Sequence, residues 1–178
     1  MIYLHTERPG VGKTLAAIER GLKWVAEGRR VFVIGVEGVD YEKTGFVKAP
    51  FEFQEWSEHL KAGDALIVDE VQQFIPAGLT RQGVAPWVKK MTRNRHLGAD
   101  MLWTTQDPRV IDSFPRRLVN EHWHYVNKFG GAAAVVFRWG AGVDNPDEAS
   151  ARNKAERSEW KYPQSLYAMY KSAEAHTR

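Results

Sequence analysis

The eight residues Glu7-Arg8-Pro9-Gly10-Val11-Gly12-Lys13-Thr14 occupy the frame GxxxxGK[ST], the pattern of a loop that cradles nucleotide phosphates. Glycines let successive backbone N–H groups turn inward around phosphate oxygens with no side chain in the way. The lysine brings a mobile positive charge to the β- and γ-phosphates, and the threonine hydroxyl ligates magnesium. A helix that begins at such a loop turns its partially positive N-terminus toward the anion. On this pattern Arg8, Pro9, Gly10, Val11, Gly12, Lys13, Thr14 and Leu15 are the expected nucleotide contacts, with Lys13 also serving catalysis and Thr14 the metal. One position departs, because Glu7 stands where the pattern has its first glycine. A carboxylate aimed at a triphosphate repels it by about 4 kcal/mol for a contact at roughly 4 Å and an effective dielectric near 20. Turned outward, it can pair with Arg8 or another cation. The first glycine lies furthest from the phosphates, so weakened affinity is expected rather than lost binding.

A second chemical cluster closes the apolar run Ala65-Leu66-Ile67-Val68 with Asp69 and Glu70. In a parallel sheet the ligand crevice lies at the carboxyl ends of the strands, which brings both carboxylates beside the phosphate loop. Asp69 suits a magnesium shell through water, and Glu70 suits a general base that polarises the attacking water. Side chains alternate along a strand, so the two are expected to do different jobs. Thr104-Thr105-Gln106 follows another apolar run, 99–103, and Gln106 is the expected sensor of the γ-phosphate.

Lys89, Lys90, Arg93 and Arg95 crowd one helical stretch. On a helical wheel the first three oppose the apolar stripe of Val84, Val88 and Met91, whereas Arg95 falls near it. Arg93 is thus expected to face outward, within reach of a neighbouring subunit's nucleotide, and Arg95 to face the sheet or its own site. An arginine finger supplied by a neighbour is worth about 10³–10⁵ in rate. A solvated helix face accounts for the same cluster. His122 and His124 form an HxH pair, but no further ligand stands nearby, and exposed strand histidines are expected rather than a metal site.

The elements that must position these residues follow from periodicity. Residues 2–4 read as a short strand, and Leu15, Ile18, Leu22 and Val25 form the stripe of a helix that Gly28 closes. The continuous apolar runs 31–34, 65–68 and 99–103 are those of strands buried on both faces in a parallel sheet. The stretch 35–50 reads as irregular connection, 53–60 as a short helix, and Val84, Trp87, Val88 and Met91 as one helix face. Strands alternating with helices imply right-handed crossovers and a largely parallel sheet. Residues 123–129 and 133–139 flank Gly130-Gly131 and read as an antiparallel hairpin added to the sheet. Residues 153–178 are mostly polar and are expected to pack back as a short helix. The expected fold is an α/β P-loop NTPase three-layer sandwich in a single unit, 1–178, with a mainly parallel sheet and a hairpin extension.

Bulk properties are compatible with that reading. A chain of 178 residues, 43% hydrophobic and 26% charged, can bury about 70% of its unfolded surface in one core. There is no cysteine, which excludes disulfides and thiolate zinc sites. A net charge of +3 permits contact with nucleic acid or an anionic membrane without arguing for either. No run approaches the roughly 18 apolar residues of a membrane span, and the N-terminus lacks a signal-peptide core. A soluble, cytoplasmic molecule is expected.

Four segments together resemble the zonular occludens toxin family, which includes filamentous-phage assembly proteins. They are IYLHTERPGVGKTLAAIE, ALIVDEVQ, RNRHLGADMLWTTQ and SLYAMYKSAEAHT, and they span nearly the whole chain. The resemblance implies a RecA/FtsK-HerA-like ATPase domain, using ATP and Mg²⁺, that drives virion assembly and extrusion at the cytoplasmic face of the host inner membrane. It implies a homo-oligomeric ring (a hexamer is one form), contacts with coat and assembly proteins and with phage single-stranded DNA, and a membrane-spanning continuation absent from this chain. The family's phosphate and magnesium roles carry over to Lys13, Thr14, Asp69 and Glu70, while Glu7 stands where the family usually has glycine. Two other readings stay open, a nucleotide-gated assembly module without turnover and a DNA-translocating ATPase of another secretion system. A P-loop kinase is disfavoured, because a water-activating Glu70 beside Asp69 is a liability in a phosphotransferase.

Overall fold

Residues 1–7, 10–128 and 133–171 are described by a computed structural model. Eight strands form one sheet: β1 (Ile2–Glu7), β2 (Val31–Ile34), β3 (Val47–Lys48), β4 (Ala65–Val68), β5 (Asp100–Thr105), β6 (Glu121–Asn127), β7 (Ala133–Trp139) and β8 (Glu156–Lys161). Their spatial order is β3-β2-β4-β5-β1-β6-β7-β8. The first six pair in parallel, while β7 runs antiparallel to both β6 and β8.

The central strands are apolar on both faces because both faces are covered. Tyr3, Val31, Val33, Ala65, Ile67 and Leu102 pack against Leu15, Ile18 and Trp24 of the helix α1 (Lys13–Ala26). Ile2, Leu4, Phe32, Leu66, Val68, Met101 and Trp103 meet Phe53, Trp56, Val88 and Met91 on the other side. This is the α/β three-layer sandwich of the sequence reading. Its two layers divide by residue parity, as the two-residue period of a strand requires.

Several expectations on local structure need correction. The stretch 35–50 is not wholly irregular: it holds the helical turn Tyr41–Thr44, capped by the Asp40 carboxylate, and the strand β3. Within 153–178, the described residues 153–171 form no α-helix. Their first part is strand β8, followed by a 3₁₀ turn over Gln164–Met169 that packs Leu166 and Tyr170 against the α1 layer. The basic helix is broken into Pro86–Lys90, a 3₁₀ turn over Met91–Arg93, and Asn94–Leu97. The hairpin strands β6 and β7 pair as expected; Gly130-Gly131 and residues 172–178 lie outside the described residues.

His122 and His124 are buried, not exposed, with relative exposures of 0% and 1%. The Val143 N–H donates to His122 Nδ1, so His122 carries its proton on Nε2 and donates it to Thr6 Oγ1 at 2.6 Å. The Thr6 hydroxyl then donates to His124 Nδ1 at 2.8 Å, which leaves the His124 Nε2 proton facing Asp147 Oδ1 at 3.5 Å. Burial and the neighbouring histidines push the His122 pKa down to about 3. This polar chain ties β1 to β6 and to the loop after β7; among the described residues no metal-binding cluster forms.

Candidate nucleotide site

The loop expected to hold phosphate joins the carboxyl end of β1 to α1. Gly10 and Gly12 both adopt positive φ, 96° and 104°. At Gly12 the restriction is the backbone and not space, since a Cβ there would meet the rings of Trp160 and Tyr162 at 3.5 Å, an ordinary contact. As the N-cap of α1, Gly12 offers no side-chain acceptor. The acceptor comes from the other end of the loop: the Lys13 N–H donates to Glu7 Oε2 at 2.6 Å.

Glu7 is the last residue of β1 and shares the parity of Tyr3, so its side chain points to the α1 face, not outward. It is 3% exposed. Its other oxygen lies 3.7 Å from Lys13 Nζ, and that ammonium is held on its far side by Glu70 Oε1 at 2.8 Å. Burial works against the Lys13 charge, but Glu70, Glu7 and Asp69 outweigh it and leave the Lys13 pKa raised.

Asp69 follows β4 with the parity of Ile67 and faces Thr14, whose hydroxyl donates to Asp69 Oδ1 at 3.0 Å. The Thr104 hydroxyl, on β5, donates to the same oxygen at 2.5 Å. Burial raises the Asp69 pKa despite these two donors and the Lys13 charge. The close approach of β2 and β4 demands a glycine at 35, because a Cβ there would stand 2.7 Å from the Asp69 carbonyl oxygen.

Alternation stops at Glu70. With φ 50° and ψ 54° it is the one non-glycine residue at positive φ among those described, a conformation that costs roughly 1–3 kcal/mol and clusters at functional sites. The turn swings Glu70 back to the side of Asp69 and onto Lys13. Its N–H donates to Thr104 Oγ1 at 3.0 Å, and Gln72 Nε2 donates to Glu70 Oε2 at 2.6 Å. The two carboxylates thus face one loop, contrary to what strict alternation implies.

The structure therefore brings together Lys13, Thr14, Asp69 and Glu70, with Gly10, Val11, Gly12 and Leu15 in the loop and first turn that carry them. Arg8 and Pro9 lie outside the described residues. Val11 and Leu15 are buried in the core and support the loop from below. Gln106 is exposed one residue beyond β5; Thr104, on the same strand face, is the residue that touches the carboxylate cluster. Thr104 and Gln72 were not singled out from sequence, although strand parity with Leu102 marks Thr104 as facing α1.

Arg93 and Arg95 are not at this site. Both are exposed, and Asn94 between them donates to the Met1 carbonyl at the start of β1. A six-residue strand spans about 20 Å, so both arginines stand at the opposite end of the sheet from the loop. Arg95 misses its expected inward direction because the intervening 3₁₀ turn advances each residue by 120° instead of 100°, about 60° over three residues.

A hydroxyl oxygen and a carboxylate oxygen at 3.0 Å, Thr14 and Asp69, are hard donors of the kind that hold Mg²⁺ together with water and phosphate. The residues present fit such an ion. No all-protein cage is needed for it, in keeping with the lack of a larger ligand cluster among the described residues.

With this geometry in view, comparison with known proteins decides the family. The zonular occludens toxin (Zot) family model matches residues 1–177. The chain belongs to the Zot family. A protein of Pseudomonas phage Pf3 named as an assembly protein, ORF301, is 32% identical over 184 residues, covering 99% of this chain. The chain spans 60% of that relative's length. Among solved structures, the N-terminal domain of zonular occludens toxin from Neisseria meningitidis superposes with a TM-score of 0.74 at 25% identity, covering 96% of this chain and 98% of that one. The DNA-packaging ATPase B204 of Sulfolobus turreted icosahedral virus gives 0.60 at 13% identity over 90% of this chain and 96% of its own, a likeness of fold. The Zot fold here is a P-loop NTPase fold.

Proposed function

We propose that this Zot-family chain is a Mg-dependent nucleoside-triphosphatase module that powers filamentous-phage assembly and extrusion. The observation that carries the reading is the convergence of Lys13, Thr14, Asp69 and Glu70 on one phosphate-type loop at the carboxyl edge of a parallel sheet. Its Pf3 relative is named as an assembly protein, and the B204 packaging NTPase has been solved in complex with ATP-gammaS, both of which support it.

In this reading ATP phosphates lie across the backbone of Gly10 to Lys13, and the Lys13 ammonium turns from the carboxylates to the β- and γ-phosphates. Thr14 and Asp69 hold the ion, which when bound supplies positive charge to the phosphate oxygens. Thr104 fixes the Asp69 carboxylate. Glu70, already turned to this side by its backbone, accepts a proton from the attacking water, and Gln106 lies on the same strand face as a γ-phosphate sensor. In this reading Arg93 and Arg95, exposed and remote from the chain's own loop, reach the nucleotide of a neighbouring subunit in a homo-oligomeric ring. Coat protein, assembly proteins and phage single-stranded DNA are the proposed partners. The proposed place of work is the cytoplasmic face of the host inner membrane, with attachment through a segment outside this chain; no helix among the described residues is long and apolar enough to cross a membrane.

Phosphate release by the native chain, Lys13→Ala and Glu70→Gln tests the enzymatic reading. Both variants are expected to lose at least about 100-fold in rate, the lower bound of general acid–base catalysis for Glu70. Equal release from all three contradicts it. A second reading, a nucleotide-gated module without turnover, is favoured by one observation, the Glu7 carboxylate inside the loop. Calorimetric binding of ATP with no phosphate release at any protein concentration selects that reading.

A further inference from the structure

We propose that Glu7 is a built-in competitor for nucleotide phosphate, its carboxylate holding the two Lys13 donors that a phosphate needs. The inference rests on the phosphate-loop reading and adds to it a residue that sets nucleotide affinity.

The Glu7 carboxylate closes the loop on itself. One oxygen takes the Lys13 backbone N–H at 2.6 Å and the other faces the Lys13 ammonium at 3.7 Å. These are the first amide of α1 and the side-chain cation of the phosphate pattern, the pair to which an anion at a helix N-terminus is drawn. A single N–H cannot serve two acceptors at full strength, so a phosphate oxygen takes this amide only as the carboxylate gives it up. The arrangement is built into the sheet: β1 parity points Glu7 at α1, the residue is 3% exposed, and the glycine N-cap supplies no rival acceptor.

Charge works in the same direction. Glu7, Asp69 and Glu70 surround the single Lys13 ammonium. Glu70 at 2.8 Å already satisfies part of that ammonium, so an arriving phosphate that leaves Glu7 in place meets a carboxylate it repels and a cation it must share. A glycine at position 7, as in the motif, removes the competitor altogether.

A purely structural role makes a different forecast. If Glu7 only caps α1, its removal lowers stability and leaves nucleotide affinity unchanged or weaker. If it competes, removal lowers stability and tightens binding. Calorimetry on the native chain, Glu7→Gln and Glu7→Gly with Mg-ATPγS, and again with Mg-tripolyphosphate, separates the two. Both variants are expected to bind both probes more tightly than the native chain, Glu7→Gly at least tenfold and Glu7→Gln, which loses the charge but keeps an acceptor, by less. The factor is the same for each probe because the competition is for phosphate and not for the base. Glu7→Gln keeps an oxygen acceptor for the Lys13 amide and carries the test should Glu7→Gly fail to fold. Measurable native binding with equal or weaker binding by folded variants overturns the inference and leaves Glu7 as a cap. Failure of the native chain and of both variants to bind either probe removes the phosphate-loop reading itself, and the competitor with it.

Discussion

At the scale of single residues, the site is a short chain of hydrogen bonds in which each partner fixes the next. Thr104 matters most for its size. Its hydroxyl donates to Asp69 Oδ1 and accepts from the Glu70 N–H, so one buried side chain orients both carboxylates. Thr104→Val keeps the volume and removes both bonds, leaving the Glu70 amide and the Asp69 oxygen short of partners. The cost of such unsatisfied buried groups is about 1–3 kcal/mol, read as a lower urea midpoint, together with a loss of phosphate release. A variant as stable and as active as the native chain contradicts the assigned contacts. The motif gave away Lys13 and Thr14 because their chemistry is tied to fixed spacing, and Asp69 was legible as the carboxylate that closes an apolar strand. The direction of Glu7 was left open, because the strand was read as residues 2–4 whereas β1 runs on to Glu7. Its partner was hidden because the contact joins residues six apart around a loop whose path no periodicity describes. Glu70 was placed beside the loop, but the turn that brings it to the same side as Asp69 was not foreseen, because a non-glycine residue at φ 50° has no signature in sequence.

At the scale of elements, the central sheet was readable because strands buried on both faces must be apolar throughout, as 31–34, 65–68 and 99–103 are. Strand β8 was not. Its sequence ERSEWK is polar on both sides, since it is the sheet edge and only Trp160 reaches the core near α1. Its pairing is dictated by β7 and not by its own pattern. The layer between β1 and β6 was missed for a related reason: an HxH pair on a strand looks solvent-facing until the third member, Thr6, is known. The buried histidines of β1 and β6, His5 and His122, have a consequence for pH. Burial, with Arg20 nearby, pushes His5 down to about 3, and burial with the adjacent histidines does the same to His122. Both are neutral in the folded chain but gain protons near pH 6.5 when unfolded. Stability from these two residues is therefore complete above about pH 6.5 and declines as pH falls toward 3, by roughly 1.4 kcal/mol per pH unit for each. Urea unfolding is expected to show a fall of about 2–3 kcal/mol between pH 7.5 and 5.5. An unchanged midpoint across that range contradicts the buried, neutral assignment.

At the scale of the whole molecule, the two ends of the sheet carry different work. The carboxyl ends of β1, β4 and β5 gather Glu7, Asp69, Glu70 and Thr104 around the start of α1. The opposite end carries Arg93 and Arg95, both exposed to solvent. That division follows from the parallel topology, which sends every crossover back to the same edge, and in the proposed ring it lets one subunit complete its neighbour's site. All of it depends on the loop from Gly10 to Thr14 gripping a polyphosphate. Crystals grown with Mg²⁺ and a non-hydrolysable ATP analogue at millimolar excess test this directly. The expected result is triphosphate density against the Lys13 amide and ammonium, with the Glu7 carboxylate withdrawn from both. A well-ordered loop with Glu7 still on Lys13 and no analogue beside it contradicts the account.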